Sequence, residues 1–216
     1  MLTAAISLAD AEGIEAVTLR SVAHQTRSPL AEVQRSFARR DQLVFAMTQD
    51  VYRRRGVRLT SPGRPAETLM HLARMEWAVY GDHPWLVTVL TSTRPPLTPV
   101  VLDIARAYVD AFVAMGMDRA VALGRYVALN SYVQGMAMLV AAEQRERTRT
   151  QKSPESWWSE EMSRLNRTGA PAHSRWIAEV SAGDVPDSAD ISNWFQDGLG
   201  LFIAGLTEDV ASGRSW

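Results

Sequence analysis

Residues Val22–Leu43 read VAHQTRSPLAEVQRSFARRDQL. Two short amphipathic segments flank a break, and the second ends in arginines, the outline of a helix-turn-helix that lies in a DNA groove. Upstream, Thr18 is placed to cap a short helix through Leu19, Val22 and Ala23, since its hydroxyl can accept a first-turn N–H. Ser28-Pro29 reads as an N-cap followed by a first-turn proline. In the helix that follows, Leu30, Val33 and Phe37 share one face, while Glu32, Arg35, Ser36 and Arg39 look elsewhere. Asp41 is expected to cap a longer helix carrying Leu43, Val44, Met47 and Val51 to about Arg55. Before all of these, Leu2, Ala5, Ile6 and Ala9 keep helical rhythm, and Gly13 ends that helix.

Charge is unevenly distributed. Residues 1–60 hold nine arginines and six carboxylates, a balance of +3; the whole chain is −1, so residues 61–216 carry −4. A basic head on an acidic body is a weak nucleic-acid signal. The 216 residues are 46% hydrophobic and 22% charged, an ordinary globular composition. No apolar run approaches the roughly 18 residues of a membrane span. The chain has no cysteine, which excludes disulfides and thiol chemistry, and the absence fits a reducing cytoplasm, the expected compartment.

Ser61-Pro-Gly-Arg-Pro65 is the first clear break. It divides a head, residues 1–58, from a body, residues 59–216. Helical periodicity in the body predicts helices at about Ala66–Tyr80, Pro99–Met115 and Asp118–Glu143, with a short one opening at His83-Pro84-Trp85. Residues Gln144–Asp187 are polar, with short helices expected at Glu155–Leu165 and Ser174–Ser181. A last helix runs from about Ile191 through Trp194, Phe195, Leu199, Phe202, Ile203 and Leu206. No strand alternation stands out, so the expected fold is all-α.

Over Val22–Leu43 the chain resembles, without a gap, the head pattern I-A-x-x-x-G-V-S-x-x-T-L-Y-x-x-F-x-x-K-x-x-L of the tetracycline-repressor family of bacterial regulators. Val22, Ala23, Val33, Phe37, Arg40 and Leu43 match in type. Further matches follow in order. Phe112 to Leu123 resembles the joint L-x-x-x-G-x-x-x-x-x-A-L, Tyr132-Val-Gln-Gly135 follows it, and Phe195 to Leu206 resembles the closing F-x-x-G-L-x-x-I-x-x-G-L. The resemblance implies a three-helix DNA-binding head joined by a fourth helix to a helical body that binds a ligand and dimerises. It implies a homodimer through Asp118–Glu143 and Ile191–Val210, a double-stranded DNA operator and a small-molecule effector. No membrane partner and no cofactor are expected.

The candidate DNA contacts are Thr18, Arg27, Ser28, Pro29, Glu32, Gln34, Arg35, Arg39 and Arg40. Arg27 stands at the pattern's turn glycine, where a side chain must adopt positive φ at some cost or the turn must change. Gln34 replaces the phosphate-bracing tyrosine, and Glu32 replaces a threonine. A carboxylate there either accepts from a cytosine amino group or is an exposed acid tolerated on the helix. These departures motivate an alternative: a degenerate member that dimerises and binds a small molecule without reading DNA specifically.

For the ligand, aromatic, sulfur and polar residues of the body are the candidates: His71, Trp77, Tyr80, Trp85, Thr93, Arg94, Phe112, Met115, Tyr126, Asn130 and Gln134. The stretch Thr88 to Pro96 resembles the V-H-L-G-T-R-P stretch of the tetracycline repressor, with Leu90 where that protein holds magnesium through a histidine; no metal site is expected. No catalytic residue is expected either: the chain lacks G-x-S-x-G, H-E-x-x-H and P-loop motifs, and the four histidines show no ligand spacing.

Overall fold

The computed structural model describes residues 1–56, 59, 63–168, 175, 176, 179 and 188–212. Among them every regular element is helical. They are α1 (Leu2–Glu12), a single 3-10 turn (Ile14–Ala16), α2 (Leu19–Gln25), α3 (Leu30–Ser36), α4 (Arg40–Arg54), α5 (Pro65–Asp82), α6 (Pro84–Leu90), α7 (Pro99–Ala114), α8 (Arg119–Thr150), α9 (Pro154–Arg167) and α10 (Ser188–Ser212). No helix among the described residues is long and apolar enough to cross a membrane. The helix expected at Ser174–Ser181 and part of the break at Ser61–Pro65 lie outside the described residues.

Packing follows the apolar register. Ala5, Ile6, Ala9, Val17, Val22, Val33, Leu43 and Met47 close the interior of the head, and burying a side chain the size of Val33 stabilises by about 1.5–3 kcal/mol. Gly13 ends α1 at φ 85 as the sequence predicts. Thr18 caps α2: its hydroxyl accepts from Ser21 N at 2.9 Å, and Ser21 Oγ accepts from Thr18 N at 2.9 Å.

In the head, three boundaries differ from expectation. Ser28 does not cap α3; Pro29 does, with φ −56 and ψ 137. Ser28 N–H closes the end of α2 on Ala23 O at 3.0 Å and its hydroxyl turns back to Thr26 O at 3.4 Å, while Pro29 is extended at ψ 137, so Ser28 belongs to the preceding turn. Phe37 is half-buried but lies beyond α3, which stops at Ser36 because Phe37 is extended at φ −140. Arg39, not Asp41, caps α4, and Asp41 sits in the first turn, where a carboxylate complements the helix dipole.

The chain forms two compact units. The first, Met1–Met138 with Leu199–Trp216, contains α1 to α7 and the cavity described below. Its body core holds Leu69, Leu72, Tyr108, Phe112, Leu129, Val133, Leu199 and Ile203, and Tyr132 stacks on Phe202 with ring centroids 5.1 Å apart. The second unit, Leu139–Gly198, carries the end of α8, which continues past the expected Glu143 to Thr150. That extension is exposed and supported locally, by Arg149 on Glu146 and by Arg145 Nε donating to Ala141 O.

Candidate DNA-reading head and ligand cavity

The turn between α2 and α3 keeps its shape without glycine. Arg27 adopts φ 51; its N–H donates to His24 O at 3.2 Å, and the Ser28 N–H bond to Ala23 O completes a Schellman closure. A non-glycine residue in this left-handed position costs about 1 kcal/mol. Arg27, Pro29, Glu32, Gln34, Arg35 and Arg39 are exposed on the head, as are Thr18 and Arg20, and Ser28 is half-buried. Arg40 is different. Its Nε donates to Val17 O at 2.8 Å and its Nη2 to Ile14 O at 2.6 Å, so two of its N–H groups hold α4 against the 3-10 turn. Replacing Arg27 with glycine is expected to stabilise the head by about 0.5–1 kcal/mol by releasing the φ strain. It should also weaken DNA binding and shallow the salt slope by about one unit for each protomer's Arg27 that neutralises a phosphate. Urea unfolding and a salt titration of binding measure the two effects separately.

In the body, a cavity of about 250 Å³ lies among α4, α5, α7 and α8 and the segment between α6 and α7. Tyr52, Glu76, Tyr80, Tyr126, Asn130 and Gln134 supply its polar wall; Leu90, Pro95, Leu97, Val101, Leu102, Ile104 and Ala105 supply the apolar one. Leu97 and Leu102 are 64% and 51% exposed and mark its opening to solvent. Glu76 occupies a core position on the apolar face of α5, in register with Leu69, Leu72, Ala73 and Val79. Its Oε2 accepts from the Tyr108 hydroxyl at 2.7 Å and its Oε1 from the Tyr80 hydroxyl at 3.4 Å. Burial raises its pKa from 4.5 to about 7, against the opposing effect of the Tyr108 and Tyr80 hydrogen bonds. Burial also pushes Tyr126 up to about 12, with the nearby Glu76 charge adding to it, and raises Tyr52, Tyr80 and Tyr108 well above the usual range.

Three links join the head to this cavity. Asp10 Oδ1 at the end of α1 accepts from His83 Nδ1 and from Trp85 Nε1, each at 2.8 Å, where α5 passes into α6. An ionised carboxylate only accepts, so the His83 proton is on Nδ1. Gln49 Oε1 on α4 accepts from Val100 N at 3.2 Å, at the start of α7. Arg55 and Asp82 form an ion pair between the ends of α4 and α5. Because α4 also carries Tyr52 into the cavity wall, one helix touches both the cavity and the head.

The profile of the tetracyclin repressor-like C-terminal domain matches residues 61–210, more than half of the chain. The chain belongs to the tetracycline-repressor family. Its relatives include the HTH-type transcriptional repressor DrrR1 of Streptomyces coeruleorubidus, 26% identical over 216 residues, covering 99% of this chain and 78% of that one. Among solved structures, apo ActR of Streptomyces coelicolor superposes with TM-score 0.74 at 20% identity, covering 99% of this chain and 95% of the other. ActR in complex with actinorhodin gives TM-score 0.72 at 22% identity, covering 95% and 92%.

Within this tetracycline-repressor family member, four expected ligand residues line the cavity: Tyr80, Tyr126, Asn130 and Gln134. The others lie elsewhere. Phe112 is wholly buried in the core, Trp85 is buried and spends its N–H on Asp10, and Met115 caps the end of α7. His71 and Trp77 are half-buried on α5 outside the cavity lining. Thr93 and Arg94 are exposed, and Arg94 lines a second cleft of about 350 Å³ with Glu15, Arg40 and Thr88, between head and α6. Tyr52 and Glu76 are cavity residues that the sequence reading did not select. The signal for Glu76 was a lone acid at a core register position of an apolar helix face.

Proposed function

We propose that the protein is a homodimeric, ligand-responsive transcriptional repressor of the cytoplasm. Each head, residues 1–58, takes one half of a palindromic operator, and the body, residues 59–216, binds an apolar or aromatic effector and dimerises. The observation that carries this reading is α4, which forms part of the cavity wall through Tyr52 and is bonded to the head through Arg40. An effector that fits the cavity better when α4 is displaced favours the displaced state, and the two heads then no longer match successive major grooves about 34–36 Å apart.

Dimerisation is supported by apolar residues left exposed on α8 and α10: Val121, Leu123, Val127 and Leu201, the last 77% exposed. Gly135, Gly200 and Gly205 add to this. A Cβ at any of them would meet nothing within 4 Å, so packing inside the protomer does not require glycine there. A glycine inside a helix costs about 0.5–1 kcal/mol against alanine, and close approach of a second copy is a reason to keep it. The alternative, a member that has lost specific DNA reading, is favoured by Glu32, exposed on α3 among the arginines.

Binding of the protein to its own upstream DNA, followed over a salt series with the dimer checked by light scattering, separates the two. The repressor should give a specific complex whose log–log salt slope is about −4 or steeper, from at least about four phosphate contacts per dimer. An intact dimer with no specific complex at low salt would leave only the alternative.

A further inference from the structure

Glu76 has a property that a purely apolar effector would leave unused. It is a buried acid whose two hydrogen bonds both come from tyrosine hydroxyls, and no ion pair reaches it among the described residues. The groups acting on it are Tyr80 from its own helix and Tyr108 from α7. It acts in turn on Tyr52 of α4 and Tyr126 of α8. All are neutral, so no described residue supplies the countercharge for an ionised Glu76. On the same cavity Asn130 Oδ1 is buried without a hydrogen-bond donor. Two acceptors without a cation among the described residues therefore share one space, lined also by Tyr52, Tyr80 and Tyr126. Across the cavity, Leu90, Val101 and Ile104 offer an apolar wall.

We propose that the cavity takes a protonated amine with an aromatic or apolar body, its ammonium group donating to Glu76 and Asn130 and its hydrophobic part against Leu90, Val101 and Ile104. The regulatory meaning of this site rests on the repressor reading; the binding itself needs no DNA. When the amine enters, a protonated Glu76 releases its proton to solvent and the ammonium takes the proton's place beside the carboxylate.

The test uses the full chain, titrated calorimetrically with tryptamine and with its uncharged counterpart indole-3-ethanol. At pH 8 tryptamine should bind at least about tenfold more tightly than indole-3-ethanol. Between pH 8 and pH 6 its affinity should fall about tenfold, because a carboxyl of pKa about 7 passes from mostly ionised to mostly protonated. Indole-3-ethanol should show no such dependence. In Glu76→Gln, checked for folding by circular dichroism, both the preference and the pH dependence should vanish. Equal binding of the two compounds, no binding of tryptamine up to millimolar concentration, or a flat pH profile in the parent protein would each overturn the proposal. Operator binding is measured separately on the same preparation. Its absence beside an intact tryptamine preference would count against the repressor and leave the amine site standing.

Discussion

At pH 8, Glu76→Gln should be more stable than the parent protein by about 3 kcal/mol, and by less than about 1 kcal/mol at pH 5. The folded carboxyl titrates near 7, above its ordinary 4.5, because burial penalises the charge. Below about pH 4.5 both folded and unfolded chains hold the proton and there is no penalty. Above it the unfolded chain sheds its proton first, so stability falls as pH rises toward 7 and then levels off. A raised carboxylate thus destabilises on the alkaline side, the reverse of a salt-bridged one. Glutamine does not titrate, and any weakening of its bonds to Tyr108 and Tyr80 is the same at every pH. Urea unfolding of both proteins at equal concentration, at pH 5, 6, 7 and 8, gives the difference directly. A difference that stays constant over that range would mean that Glu76 does not change protonation there.

Asp10→Ala should cost about 2 kcal/mol, because the N–H of buried Trp85 loses its acceptor and His83 loses its partner with it. Asp10→Asn keeps an oxygen at the accepting position and should recover at least about half of the loss, since a neutral acceptor bonds less strongly than a carboxylate. Hydrogen exchange should locate the change. Amides of α1 should exchange faster in the alanine variant, while those around Glu76 on α5 keep their protection. Equal losses for alanine and asparagine would show that Asp10 does not act by accepting these two bonds.

Much of the head was legible because its rules are local. Val22, Val33 and Leu43 each fall on the apolar face of their own helix and are buried without remainder; Thr18 starts a helix and Gly13 ends one by chemistry alone. Where reading failed by one or two residues, at Ser28 and Asp41, two local rules competed for the same position. Ser28 can cap the next helix or close the previous one, and the backbone bond to Ala23 decides it. The end of α8 was missed because the residues from Gln144 to Thr150 bury little, so no periodicity marks them; local pairs hold the helix instead. The cavity was legible only in part, since it is a property of the distances between helices. Tyr80 of α5 and Asn130 of α8 line the same cavity, and nothing between them in the chain records that placement. Chemical type pointed to Tyr80, Tyr126, Asn130 and Gln134, but it pointed as readily to Phe112 and Trp85, which the fold spends on packing and on Asp10.

The closure of the turn at Arg27 has a consequence for how such a head can change. Its two bonds run between main-chain atoms, so the fold asks of residue 27 a backbone angle and a free N–H: glycine and asparagine meet it most easily, unbranched side chains at modest cost, and β-branched residues or proline poorly. Glu32, Gln34, Arg35 and Arg39 likewise project outward from positions whose neighbours Val33 and Leu43 hold the helices together. Folding and recognition are therefore written in separate alphabets on the same short helix. Under the proposed function, operator preference can be rewritten one outward residue at a time while the head keeps its shape.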